Sequence, residues 1–199
     1  LSGIDGRGIS RERVCLHVGA GTFLPVKEGD VARHPMHREP FSVPVDLLRD
    51  IVSALETGRR IVAVGTTSVR TLESLFYAGV DIIENGSPSD VGQWVPYERD
   101  FSITTVEALK AIISYLESNS LENLVLGTRI IIVPGFRFRV VDTLVTNFHQ
   151  PESTLILLVS AFVDGDWRRI YDFALENGFR FLSYGDSSLL FRPGFEPRS

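Results

Sequence analysis

The stretch Ile61-Val62-Ala63-Val64-Gly65-Thr66-Thr67-Ser68-Val69-Arg70-Thr71-Leu72-Glu73 constrains the fold more than any other part of the chain. Four apolar residues in succession, three of them β-branched, predict a strand buried on both faces, as in a parallel sheet. Gly65 then permits a sharp turn, and Thr66, Thr67 and Ser68 are candidate helix caps. Val69, Leu72 and Phe76 recur at helical spacing and predict a helix that closes at Gly79. A strand, a glycine turn and a helix start gather backbone N–H groups, three hydroxyls and the Arg70 guanidinium. That combination suits an anion or a polar ligand oxygen. An ordinary, well-capped βα turn satisfies the same pattern.

A chain of 199 residues can bury one substantial core, so the reading is one α/β domain. The lone Cys15 excludes an internal disulfide framework and a Cys-rich zinc site, which predicts a reducing, cytoplasmic setting. No apolar run approaches the length of a membrane span. The start, Leu1-Ser2-Gly3-Ile4-Asp5-Gly6, has neither an initiator Met nor a basic leader, and is read as a cut point in a longer protein. A net charge of −5 argues against non-specific coating of nucleic acid. Local basic clusters remain at Arg33, His34, His37 and Arg38, and at Arg129, Arg137 and Arg139; clusters of this size are more often solvated surface than nucleic-acid sites.

Arg13–Val18 alternates as a strand and ends in the glycine turn Gly19-Ala20-Gly21-Thr22-Phe23. That turn is no dinucleotide fingerprint, because the third glycine would fall at Leu24. Pro44–Thr57 carries a helical stripe of Val45, Leu48, Ile51, Val52 and Leu55, with Gly58 at its end. Residues 85–100 read as loop. Thr104-x-x-Glu107 is a capping box opening a helix to about Ser118. Ile130–Val133 reads as a buried strand broken by Pro134-Gly135, followed by an extended segment, Phe136–Val145. An apolar helix is expected from Pro151 to Phe162, another over Trp167–Asn177 capped by Asp166, and a hairpin-like region over Phe181–Phe191. Three predicted strands thus end in glycine turns, at Gly19, Gly65 and Gly135, which suggests one ligand-binding edge.

Proton transfer near neutral pH points first to histidine. His17 sits at a strand end, and His149 lies in Asn147-Phe148-His149-Gln150-Pro151, at a strand-to-helix junction. His34 and His37 are separated by Pro35 and lack a third ligand type, so no metal site is predicted. Glu39, Glu73, Asp142 and Asp186 are the acids nearest the turns; Glu73 is expected to pair with Arg70 on its own helix. Hydrolase elbows, Walker loops and zinc-peptidase motifs are absent from the sequence.

Taken together, the motifs resemble the S-adenosylmethionine:tRNA ribosyltransferase-isomerase family of queuosine biosynthesis. They are Leu16-His17-Val18-Gly19-Ala20-Gly21-Thr22-Phe23, Met36-His37-Arg38-Glu39, Ala63–Glu73, Pro134-Gly135-Phe136, Val141-Asp142, Thr146-Asn147-Phe148-His149, Ser153-Thr154-Leu155 and Ser183-Tyr184-Gly185-Asp186. The resemblance implies a barrel-like α/β domain, with the family's inserted small β-barrel domain absent from this stretch. Residues 1–199 would be the C-terminal part of the catalytic domain, with 100–128 a helix-containing insertion of a subgroup. The implied reaction moves and isomerises the ribosyl group of S-adenosylmethionine onto 7-aminomethyl-7-deazaguanine in a tRNA anticodon. Its products would be epoxyqueuosine, adenine and methionine. S-adenosylmethionine is then a substrate, with no permanently bound cofactor and no metal.

The implied course begins with proton loss beside the sulfonium, for which His17, His37 or Glu39 is the candidate base. His149 or Asn147 would assist departing adenine. The glycine turns at Gly19, Gly21, Gly65 and Gly135 would let backbone approach the nucleoside, Thr22, Tyr184 and Asp186 would be further substrate-binding residues, and Thr66, Thr67, Ser68 and Arg70 would hold the methionine carboxylate or a tRNA phosphate. The family usually continues Leu-Pro-Lys after its Asn-Phe-His motif; here Gln150-Pro151-Glu152 puts an acid in place of the base. Two other readings fit the sequence: a fragment that binds tRNA or an adenosyl ligand without turnover, and another S-adenosylmethionine-dependent enzyme such as a methyltransferase.

Overall fold

The computed structural model describes residues 4, 6–17 and 34–194. Within them, six strands form two three-stranded sheets, joined by six α-helices and one 3-10 turn. The mixed α/β class is as the sequence predicts. The first sheet is antiparallel, with β2 (Glu39–Pro44) between β1 (Cys15–Leu16) and β4 (Asn123–Thr128). The second places β5 (Thr143–Asn147) between β3 (Val62–Val64), its parallel neighbour, and β6 (Ser187–Phe191), its antiparallel one.

Helix α1 (Val45–Glu56) begins after Pro44, whose fixed φ suits a helix entrance, and buries Leu47, Leu48, Ile51 and Val52. Burying each of those side chains is worth about 1.5–3 kcal/mol before the ordering entropy is subtracted. Helix α2 (Thr66–Asn85) is the axis of the molecule, with residues 69–80 all buried. It does not close at Gly79. A Cβ there would lie 2.2 Å from the Ala108 carbonyl oxygen, so Gly79 is where α4 (Thr105–Ser118) crosses α2 at close range. Between them lies the one-turn helix α3 (Val95–Glu98), inside the predicted loop.

The capping box of α4 forms as the sequence predicts: Thr104 Oγ1 accepts the Glu107 N–H at 3.2 Å, and Glu107 Oε2 accepts the Thr104 N–H at 2.8 Å. Residues 100–128 are integral to the core, because Ala108, Leu109, Ile112 and Leu116 are buried and β4 pairs with β2 along six residues. Helices α5 (Thr154–Phe162) and α6 (Trp167–Glu176) complete the set. Ser153 caps α5, accepting the Ile156 N–H at 3.3 Å, so the helix starts three residues after Pro151. Asp166 makes no cap bond and instead pairs with Arg169.

Three strand expectations are corrected. β3 is not buried on both faces: Ala63 is 2% exposed, but Val62 and Val64 are 50% and 69% exposed. With a period of two, Ala63 points into the core while Val62 and Val64 point to the opposite face, which is left largely exposed along β3. Ile130, Ile131 and Ile132 are buried and Val133 half-buried, yet the run forms no strand; Tyr97 bridges it, its hydroxyl donating to the Ile131 carbonyl and accepting the Val133 N–H. Burial explains the apolar run, and side-chain pairing replaces a ladder. Phe136–Val145 becomes a strand only from Thr143. The stretch to β6 also turns first through a 3-10 element, Leu182–Tyr184.

No helix among the described residues is long and apolar enough to cross a membrane.

Candidate active site

The parallel pairing of β3 with β5 sets Val64 opposite Val145, so the two strands end side by side. Gly65 leaves β3 with φ +92°, a conformation costly for any side chain, and its N–H donates to the Val145 carbonyl at 2.8 Å. Helix α2 starts at once. The N–H groups of Thr66, Thr67 and Ser68 are in its first turn, where no intrahelical carbonyl can accept them. Ser68 is not a cap: its hydroxyl donates backward to the Val64 carbonyl at 2.8 Å. Thr66 is buried, and Thr67 is half-buried.

Next to this turn, β5 delivers Thr146-Asn147-Phe148-His149. Thr146 Oγ1 and His149 Nε2 lie 2.9 Å apart, and the His149 backbone N–H donates to the Tyr171 hydroxyl at 2.9 Å. Burial lowers the imidazole pKa to about 4, so His149 is neutral near pH 7. It can exchange hydrogen bonds there but does not carry an imidazolium proton. Burial also raises Tyr171, partly offset by the bond from His149. Asn147 Nδ2 donates to the Leu182 carbonyl at 2.6 Å, and the Leu182 N–H donates to the Phe148 carbonyl at 2.8 Å. These bonds pin the 3-10 turn against the end of β5 and present Tyr184, 71% exposed. Asp186 accepts the Arg180 backbone N–H at 2.6 Å and pairs with the Arg180 guanidinium.

One turn further along α2, Arg70 reaches the first sheet. Its Nη1 donates to Glu39 Oε2 at 2.6 Å and its Nε to the Ile130 carbonyl at 3.0 Å. Both side chains are almost fully buried, and Arg70 Nη2 has no hydrogen-bond partner among the described residues. Burial lowers the Arg70 pKa, opposed by the charge of Glu39. The Ser74 hydroxyl ties the Arg70 carbonyl to Thr128 Oγ1, at 2.6 and 2.8 Å. His37, two residues before Glu39, is exposed, as is His17, whose N–H donates to the Pro40 carbonyl at 3.0 Å.

The structure therefore joins two groups of residues through the first turns of α2. Gly65 is bonded to β5 at Val145, just ahead of Thr146–His149, whereas Arg70 is bonded to Glu39 at the start of β2. Arg70 and Glu39 face each other in the interior, so neither presents its charge to solvent. Glu73 does not pair with Arg70; it is fully buried and accepts the N–H groups of Arg139, Val140 and Val141 at 2.8–3.1 Å. Desolvation raises its pKa to about 7 against the pull of those three bonds. Asp142 is also structural, accepting the Ile61 N–H at 3.1 Å and pairing with Arg192 at 3.2 Å. Gly135 lies in an exposed turn closed by the Phe136 N–H and the Val133 carbonyl, so it ends no strand. Gly19, Gly21 and Thr22 lie outside the described residues.

Sequence reasoning gave no role to Thr146, inside the His149 motif, and passed over Tyr171, Asp90 and Gln93, which lie outside the motifs and bond to the backbone or neighbours of the histidines. Thr146 was within reach of the sequence, since it precedes His149 by three residues at a strand end. Gln93 carried no signal, being one polar residue in a polar loop.

The profile of the family described as queuosine biosynthesis protein matches residues 1–190. The chain is 42% identical over 190 residues to the S-adenosylmethionine:tRNA ribosyltransferase-isomerase of Allorhizobium ampelinum, covering 95% of this chain and 43% of that one. It is 43% identical over 194 residues to the enzyme of the same name from Rhodopseudomonas palustris, covering 95% and 42%. Its fold is similar to the crystal structure of S-adenosylmethionine tRNA ribosyltransferase from Thermotoga maritima. The TM-score is 0.60 at 31% identity, over 94% of this chain and 47% of that one. The chain thus spans less than half the length of these relatives. With its motifs in the family's order and the match running almost end to end, the chain belongs to the queuosine biosynthesis protein family.

Proposed function

We propose that this chain forms part of the active centre of an S-adenosylmethionine:tRNA ribosyltransferase-isomerase, acting in the cytoplasm. The donor is S-adenosylmethionine, a substrate rather than a resident cofactor. The acceptor is 7-aminomethyl-7-deazaguanine in a tRNA anticodon, and the products are epoxyqueuosine in tRNA, adenine and methionine. The observation that carries the reading is the parallel β3–β5 pair. The two strands end side by side, one leading into the first turn of α2 and the other into Asn147 and His149, and the family matches this chain along 95% of its length.

The methionine carboxylate is read onto the N–H groups of Thr66–Ser68, where the positive end of α2 favours an anion. Arg70 acts from behind, through Glu39, rather than by touching substrate. His37 or His17 takes the proton beside the sulfonium, whose positive charge makes that C–H acidic enough for a side-chain base. His149, held neutral, and Asn147 supply hydrogen bonds to departing adenine. Gly19, Gly21, Thr22, Gly135, Tyr184 and Asp186 are read as lining the nucleoside or tRNA side. Residues 1–199 are read as the C-terminal part of a barrel-like catalytic domain, in which 100–128 is a subgroup's elaboration absorbed into the core.

The test is product analysis after incubation with S-adenosylmethionine and tRNA bearing 7-aminomethyl-7-deazaguanine. Adenine and methionine together support the reading; S-adenosylhomocysteine sinks it in favour of methyl transfer. The acid Glu152, where the family usually carries a base, favours one second reading, a binding module without turnover, which predicts retained ligand affinity and no released adenine.

A further inference from the structure

Residues 34–38 lead into β2 without being part of a strand, yet both flanks of His37 are tied to residues 90–93. The Met36 N–H donates to Gln93 Oε1 at 3.0 Å, while Gln93 Nε2 donates to the His34 carbonyl at 2.7 Å. The Gln93 carboxamide thus stands in for a neighbouring peptide, giving and accepting one hydrogen bond as a paired strand would. On the other flank, Arg38 Nη2 donates to Asp90 Oδ1 at 2.9 Å and Nε to Oδ2, a bidentate pair with fixed geometry. Asp90 Oδ1 also accepts the Gly127 N–H at 2.7 Å. A Cβ at Gly127 would lie 2.4 Å from Arg38 Nε, so only glycine lets the guanidinium lie across β4 there.

The turn itself is anchored. The Val91 N–H donates to the Gly127 carbonyl, the Arg129 N–H to the Val91 carbonyl and the Ile131 N–H to the Gln93 carbonyl, at 2.9–3.2 Å. Met36 is buried, whereas His37 is exposed between its two anchored neighbours. The Arg38–Asp90 pair is itself largely exposed, so it adds little stability; what it supplies is direction.

We infer that Asp90 and Gln93 are positioning residues that hold His37 in place for proton transfer. The inference rests on the proposed reaction and on His37 acting as its base. A base gains from being held in reach of its proton, and a shift of about 1 Å can cost about a hundredfold in rate.

The test measures adenine release by the full-length enzyme at saturating S-adenosylmethionine and tRNA. Gln93→Ala and Asp90→Asn are each expected to lower kcat by roughly ten- to a hundredfold, with KM for S-adenosylmethionine changed less than about threefold. Gln93→Glu keeps the acceptor for Met36 but loses the donor to His34, and should fall between Gln93→Ala and the parent. In a His37→Ala background, Gln93→Ala should cause no further loss, because the group it positions is gone. The inference is overturned if Gln93→Ala and Asp90→Asn both stay within about twofold of the parent while His37→Ala is severely impaired, or if the losses multiply in the double variant. Should Gln93→Ala not fold, the exposed Asp90→Asn decides alone by the same criteria. Near-parental kcat in His37→Ala, or no adenine release by the parent, refutes instead the reading on which the inference rests.

Discussion

Replacing Arg70 with methionine tests whether its guanidinium is an internal tie or a ligand anchor. The Arg70–Glu39 pair closes at 2.6 Å with side-chain exposures of 4% and 3%, so no solvent screens it. Removing either partner leaves the other charge buried, which typically costs about 3–5 kcal/mol. Arg70→Met also frees the Ile130 carbonyl, and Glu39→Leu leaves a buried cation. The double variant removes both charges together, and such replacements are often close to neutral, so it should lie within about 2 kcal/mol of the parent. Simple addition of the single losses would instead give roughly 6–10 kcal/mol.

Equilibrium urea unfolding of the four proteins, read by circular dichroism and tryptophan fluorescence, gives the cycle. The exposed Lys110–Glu56 pair, at 56% and 47% exposure, is the internal control and should contribute no more than about 1 kcal/mol. Singles that each cost less than about 1 kcal/mol, or a double as unstable as the sum, would refute the buried-pair argument. A double variant that folds and still binds S-adenosylmethionine would show that Arg70 does not grip the substrate.

Three further outcomes follow from the geometry. Glu73, raised to about 7 in the folded protein, binds its proton more tightly there than in the unfolded chain, so its contribution is fully present below about 4.5 and is lost as pH rises through 7. The parent should therefore lose about 3 kcal/mol relative to Glu73→Gln between pH 4.5 and 8 in urea unfolding, and parallel curves would contradict this. His149, lowered to about 4, works in the opposite sense: its neutral form stabilises above about 6.5 and that contribution fades as pH falls through 4, so its imidazole signals in NMR should titrate near 4 and not near 6.5. Gly79→Ala gains helix propensity of about 1 kcal/mol but drives a methyl into the Ala108 backbone, and a net loss of about 2 kcal/mol in thermal unfolding is expected.

The sequence by itself determined the local elements wherever the signal was local. The strand–glycine–helix junction at Val64–Thr66, the capping box at Thr104 and Glu107, and the amphipathic stripe of α1 all depend on residues within a turn or two of one another. Their formation follows from dihedral preference, capping and hydrophobic period, which a linear reading contains. It also contained the ordered motifs by which the family is recognised.

Only the tertiary structure decided the partners. Arg70 turns to Glu39, 31 positions away, rather than to Glu73 three positions along its own helix. Glu73 in turn satisfies the backbone of a segment more than 60 positions distant. Gln93 bonds to His34 and Met36, and Gly79 marks a helix crossing rather than a helix end. In each case the choice depends on which groups packing removes from water, because a buried charge or N–H must find a partner wherever the fold places one. Spacing along the chain carries no record of that.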